Sequence, residues 1–224
     1  MEFIFPPTIR GMKIKDETSL FPVGKIYCVG KNYAAHAKEM GSEVEKKEPF
    51  FFSKPPQALT QVNEIPYPSK TNNLHHEVEL VVFLHKGGAN VTRDQVDDLI
   101  YGYAVGVDLT KRDLQNEFKN AGKPWDLSKG FDYSGPISEI SQNKAMLNNA
   151  KITLSVNGDT KQESNISMME WDIASLISIL SQQVTLKPGD VIFTGTPEGV
   201  GPLNKGDKVV AEIENVGSLN FKII

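Results

Sequence analysis

The sequence predicts an α+β protein whose core is a large mixed β-sheet accompanied by a few short helices. Three observations lead there. Apolar, β-branched runs of strand length outnumber helical patterns along the 224 residues. The two kinds of run do not alternate regularly, which disfavours a doubly wound or barrel arrangement. Turns rich in Pro and Gly separate the closing runs.

Taken in order, residues 1–22 read as an irregular or short-stranded lead-in. Lys25 to Gly30 is an apolar strand that contains Cys28, the sole cysteine. One cysteine excludes an intramolecular disulfide and suits a reducing cytoplasm, and its apolar setting predicts a buried, inert thiol. Asn32 to about Met40 reads as a short helix closed by Gly41. Phe50-Phe51-Phe52 opens a strand that Pro55-Pro56 ends. His75 to Leu84 is a strand of period two. Thr92 and Gln95 make a capping-box signature for a helix to about Ile100, which leads into a second strand-like run, Tyr101 to Leu109.

Thr110 to Asn120 is helix-like, with Thr110 as the cap and Asp113 as its partner. Trp125 to Gly135 reads as a surface loop. Asn157-Gly158 is a hairpin signal. Ser167 with Glu170 caps the best helix, whose apolar stripe is Met169, Ile173, Leu176, Ile177 and Leu180. Strands at Val191 to Thr194, Lys208 to Glu214 and Ser218 to Ile224 complete the chain.

Lys and Arg number 24 against 28 Asp and Glu, a net charge of -4 with the basic residues scattered, which disfavours a general nucleic-acid binder. No apolar run approaches the ~20 residues of a membrane span, and Met1 to Pro7 lacks the basic and long apolar parts of a signal peptide. One domain over 1–224, cytoplasmic and acting on a small molecule, is the expectation.

The chemistry concentrates on acids. In a strand, Glu77 and Glu79 share one face with His75 and Val81, while His76, Val78, Leu80 and Val82 share the other. Two like charges side by side repel unless a cation lies between them, and carboxylates without Cys suit magnesium, manganese or calcium better than zinc. An edge strand facing water is the alternative, and Glu-Val-Glu alone leaves both open. Asp108, at the end of the second strand, adds a third acid without an obvious structural job. His36 and Glu39 stand three apart on the predicted helix and face the same way, a pairing that raises imidazole basicity and can activate water. An ordinary exposed pair is the competing reading. His76 is expected in the core or behind the acids, and His85 on the surface.

Five ordered motifs carry a family resemblance: Tyr27 to Tyr33 with His36 and Glu39; Asn73 to Leu80; Asp108 to Thr110 with Arg112-Asp113; Pro124 to Phe131; and Thr194 to Pro202. Together they closely resemble the fumarylacetoacetate hydrolase family, in its short acylpyruvase and oxaloacetate decarboxylase branch. The resemblance implies a β-roll core of the family's C-terminal-domain type and a homodimer. It implies Glu77, Glu79 and Asp108 as ligands of Mg2+ or Mn2+, and His36 and Glu39 as a catalytic dyad on a lid that orders with substrate, and the charge-rich run after the helix extends that expected mobile segment from about Asn32 to Lys47. It further implies Lys129 as an active-site cation, with Arg112, Gln115 and Thr196 facing the substrate. The implied activity is hydrolysis of 3-acylpyruvates or decarboxylation of oxaloacetate. Enol-keto tautomerisation of oxaloacetate is the near alternative, and a non-catalytic metal-binding module the distant one.

Overall fold

Every residue of the strand Val78–Leu84 is buried, on both faces of its sheet. The computed structural model, which describes residues 3–6, 8–41, 48–142 and 146–224, explains why an unbroken apolar run belongs there. Val78, Leu80, Val82 and Leu84 enter one core, and Val81 and Phe83 enter a second, as the two-residue period of a strand requires. The strand belongs to a five-stranded sheet in the order Phe50–Lys54, Ile26–Gly30, Val191–Phe193, Val78–Leu84, Ile100–Val107. Ile26–Gly30 and Val191–Phe193 run parallel, and the remaining pairs are antiparallel, so the sheet is mixed.

A second five-stranded sheet, ordered Asp159–Asn165, Lys151–Val156, Lys208–Ile213, Gly217–Ile223, Glu64–Ile65, contributes to the first core. Ile152, Leu154, Val209, Ala211 and Phe221 join the even-numbered face of Val78–Leu84 there. Helix Ile173–Gln183 adds Ile173, Leu176, Ile177 and Leu180, and each such aliphatic contributes roughly 1.5–3 kcal/mol by leaving water. The second core is closed partly by the lead-in, whose hairpin Gly11–Lys13 and Leu20–Pro22 supplies Met12 and Phe21. Cys28 lies in it, fully buried, with its thiol pushed up by burial and by the charge of Asp108.

The expected strand from His75 to Leu84 is in fact two. Leu74–His76 and Val78–Leu84 break at Glu77, and Ile100–Val107 likewise breaks at Asp108 before the two-residue strand Thr110–Lys111. Leu74–His76 leaves the central sheet and pairs with Thr110–Lys111 and Gly201–Leu203 in a separate three-stranded sheet. Both chains turn this corner together, with the Asp108 N–H donating to the Glu77 carbonyl at 2.8 Å.

Thr110 therefore pairs with His75 and is not a helix cap. The helix is Arg112–Asn120, and Asp113 accepts from the Thr71 hydroxyl and the Asn72 N–H, leaving the expected box unformed. Asp172, not Ser167, caps Ile173–Gln183, accepting from the Ser175 N–H at 2.8 Å, while Ser167 lies in a preceding 3-10 turn. The presumed loop from Trp125 holds a one-turn helix, Asp126–Lys129. Where local chemistry is strong the expectation matches. Asn157 and Gly158 take φ values of 54° and 92° between paired strands, and the Thr92–Gln95 capping box forms, on a 3-10 rather than an α-helix.

Candidate active site

The corner brings the three acids together. Glu77 and Asp108 occupy the two breaks, and Glu79 follows on the same face of Val78–Leu84. One carboxylate oxygen from each lies within 4.8 Å of the others, and all three residues are buried. The edge-strand alternative therefore fails. Glu79 accepts from the Gly195 N–H at 2.7 Å. Gly195 has φ 96°, and a Cβ there would stand 2.7 Å from the Asn32 Cβ, so the close turn that aims this N–H requires glycine.

Three cations frame the acids. Lys129 Nζ bridges Glu77 Oε2 at 2.8 Å and Asp108 Oδ2 at 2.7 Å. Arg112 donates to the other Glu77 oxygen and to Gln115. Lys54, fully buried, stands 2.8 Å from Asp108 Oδ1 and also donates to Ser134 Oγ and to the Lys129 carbonyl. Burial alone would push Glu77 up, but Lys129 and Arg112 outweigh it and hold its carboxyl well below the usual carboxylate range. Glu79 behaves oppositely. Burial first, then the charges of Asp108 and Glu77, drive it well above that range, because no cation is paired with it directly. Burial opposes the charge on Lys129, yet Asp108 and Glu77 raise it above the ordinary lysine value.

The donor set fits a hard divalent cation. It is all oxygen and buried. Glu79 is driven well above the usual carboxylate range by burial and by the neighbouring carboxylates of Asp108 and Glu77, a repulsion that a cation between them would offset. Glu77, Glu79 and Asp108 would hold it.

His36 and Glu39 lie on the short helix Ala34–Glu39 beside this cluster. His36 Nδ1 stands 3.3 Å from Glu39 Oε2, and the Gly199 N–H donates to both Glu39 oxygens at 3.1 and 3.2 Å. With Glu39 accepting at Nδ1, Nε2 is the basic nitrogen. No side chain caps the helix. Its anchor is Asn32, whose side chain donates to the carbonyls of Thr194 and Trp171 and accepts from the Trp171 N–H. The lid expected to reach Lys47 extends past Gly41 into 42–47, which lie outside the described residues.

His36, Glu77, Glu79, Arg112, Gln115, Lys129 and Thr196 all line one cleft. Asp108 joins them at its floor, and Glu39 stands behind His36. Thr196 is held by Gln162, which also accepts from the Val78 N–H and bonds His76 Nδ1. His76 is thus the buried support expected, and His85 is exposed at a strand end. His75 bonds Asn73 and is pushed down to about 4 by burial and by Arg112. Sequence reasoning missed Lys54 and Gln162. A lone lysine closing an aromatic strand was a signal for the first, whereas Gln162 sits in a polar run that carried none.

The family pattern for the C-terminal domain of fumarylacetoacetate (FAA) hydrolase matches residues 25–224. A fumarylpyruvate hydrolase of a Ralstonia species is 40% identical over 188 residues, 82% of this chain and 98% of that protein. An oxaloacetate tautomerase of Escherichia coli is 42% identical over 198 residues, covering 87% of this chain and 90% of that protein. Among solved structures, fumarylpyruvate hydrolase from Pseudomonas aeruginosa in complex with Mn2+ and pyruvate superposes with a TM-score of 0.96 at 40% identity, covering 100% of this chain and 99% of that one.

Proposed function

The chain belongs to the fumarylacetoacetate hydrolase family, and from that premise we propose that it is a divalent-metal-dependent enzyme that hydrolyses 3-acylpyruvates and acts on oxaloacetate. The observation that carries the reading is the meeting of a buried triad of carboxylates, a buried lysine and a histidine–glutamate pair in one cleft. Glu77, Glu79 and Asp108 would hold Mg2+ or Mn2+, which when bound would supply electrophilic stabilisation of negative charge developing on the 2-oxo oxygen. Lys129 adds a second, fixed positive charge beside it. Thr196, Gln115 and Arg112 orient the substrate carboxylate. His36 Nε2 takes a proton from water, Glu39 stabilises the resulting imidazolium, and the hydroxide adds to the distal carbonyl. The bond between C3 and C4 then breaks, its electron pair goes into the pyruvate enolate, and a proton on C3 completes the reaction. The helix Ala34–Glu39 closes on the substrate as the lid.

A second reading rests on the close similarity to oxaloacetate tautomerases. The same enolate forms when His36 moves a proton between the enol oxygen and C3, with no attacking water. A non-catalytic metal module would leave the dyad and Lys129 without a role in the cleft they share. We place the activity in one domain over 1–224, with 1–22 as a lead-in, working as a cytoplasmic homodimer. Turnover of acetylpyruvate and of enol-oxaloacetate should be measured with Mg2+, with Mn2+ and with chelator. Metal-dependent loss of acetylpyruvate supports the hydrolase, enol loss alone supports the tautomerase, and chelator-insensitive rates overturn the metal requirement.

A further inference from the structure

Of the strand Asp159–Asn165, at the edge of the second sheet, Gln162 alone is buried. Its partner across the ladder is Leu154, a core residue, so packing by itself would favour an aliphatic side chain at this position. An amide only 1% exposed is costly unless its polar atoms are partnered. Here they all are. Oε1 lies 3.0 Å from the Val78 nitrogen and 3.0 Å from His76 Nδ1, while Nε2 lies 2.9 Å from Thr196 Oγ1 and 2.9 Å from the Pro197 carbonyl oxygen.

Two of these partners are backbone groups with a fixed sense. An N–H can only donate and a carbonyl can only accept, so Val78 and Pro197 together dictate which end of the amide is oxygen and which is nitrogen. The other two partners must comply. His76 therefore bears its ring proton on Nδ1 and donates to Oε1, and Thr196 Oγ1 accepts from Nε2. The hydroxyl proton of Thr196 is given to no described residue, and Thr196 lines the cleft. Its O–H thus turns there as a donor.

We propose that Gln162 is a positioning residue that sets the sense of the Thr196 hydroxyl, making it a donor to the carboxylate of a bound 2-oxo acid, a role that rests on the 2-oxo-acid reading of the cleft. A threonine hydroxyl left to itself donates or accepts by rotating about one bond. Only donation attracts a carboxylate. A donor already held in that sense does not have to be ordered when the ligand arrives. The other end of the amide grips His76 and Val78, the two neighbours of Glu77, so one side chain ties the break that carries a candidate ligand to the loop that carries Thr196. The strand meets that loop a second time. The Lys161 carbonyl presses on Gly199, where a Cβ would collide with it, and the Gly199 N–H is the donor to Glu39.

The sense of the amide can be read by NMR of the imidazole nitrogens in the wild-type protein at about pH 8. His76 should carry its proton on Nδ1, and a bare Nδ1 means a reversed amide and overturns the role. The consequence is read by calorimetric titration of oxalate into the Mn2+-loaded protein. Gln162→Glu keeps an oxygen for Val78 and His76 but has at most one proton for Thr196 and Pro197, where the amide has two. Oxalate affinity should fall about tenfold, the scale of one hydrogen bond to a charged group. In a Thr196→Val background the same change should cost less than about twofold, whereas in Thr196→Ser, which keeps the hydroxyl, the tenfold loss should return. Equal losses in all three backgrounds overturn the role, since Gln162 would then act through packing or charge alone. Should Gln162→Glu not fold, Thr196→Val by itself should lose about tenfold, and wild-type affinity there overturns the role as well. If the losses are equal while acetylpyruvate is still turned over, the 2-oxo-acid reading stands and the role of Gln162 alone falls. If the wild type neither binds oxalate nor turns over acylpyruvate, both fall together.

Discussion

Glu77, Glu79 and Asp108 are 5%, 2% and 0% exposed and lie on or between sheet strands, whereas Glu39 has a side chain 35% exposed and shares with His36 a six-residue helix that no side chain caps. The floor of the cleft is held from every side. Lys129, Arg112 and Lys54 pair with its carboxylates, and the backbones of Glu77 and Asp108 are bonded to each other. The wall carrying the dyad is tied down by the Asn32 side chain, by the Tyr33–Met169 bridge and by the Gly199 N–H that Glu39 accepts. The contrast teaches a division of labour. On the proposed reading, groups that would meet a cation are built on and between sheet strands, and groups that would approach a substrate are built on a short helix.

The largest expected effect tests the floor. Glu79→Ala removes a candidate ligand that no neighbouring cation holds in place, so calorimetric titration with Mn2+ should show affinity weakened by more than about a hundredfold. Turnover of acylpyruvate and of oxaloacetate should vanish together. Wild-type affinity in this variant would mean that the floor is an ion-pair cluster and no metal site.

The wall should separate reactions that the floor joins. His36→Ala should lose roughly a hundredfold or more in acylpyruvate hydrolysis, the usual scale of a general base. Decarboxylation of oxaloacetate needs no attacking water and should fall less. Equal losses would reassign His36 to lid closure, or to a proton transfer common to both reactions, and would favour the tautomerase.

The smallest effect concerns what anchors the wall. Asn32 is bonded to Trp171, next to Asp172, which caps helix Ile173–Gln183 and pairs with Arg93 at 2.8 Å. Burial would push Asp172 up, but the hydrogen bonds from Ser175 and Arg93 prevail and hold it below its ordinary value. A carboxylate depressed in the folded state stabilises above its unfolded pKa, about 3.9, and loses that contribution as pH falls through the folded value. Asp172→Ala should therefore lower Tm by about 2–4 °C at pH 7, the scale of a lost cap, and the difference should fade below about pH 4. A difference that persists unchanged at pH 3 would trace the loss to packing.

Local and tertiary information divide along the same line as floor and wall. The alternation that placed Glu77 beside Glu79, the Asn157-Gly158 turn and the apolar stripe of Ile173–Gln183 depend on side-chain period and on the φ preferences of neighbouring residues, so the sequence alone determined them. So did the burial of Cys28, which follows from an apolar strand. The motif resemblance added the candidate roles of Lys129, Arg112, Gln115 and Thr196, which no spacing rule supplies. Tertiary structure decided the rest. The break of both strands at Glu77 and Asp108 arises because each leaves the central sheet there, Leu74–His76 pairing with Thr110–Lys111 on one side and with the distant Gly201–Leu203 on the other. Lys54 became part of the site by reaching Asp108, and Gln162 by reaching His76 across 86 residues. A residue's chemistry is written at its own position, but whether its charge is spent or available depends on neighbours that only the folded chain supplies.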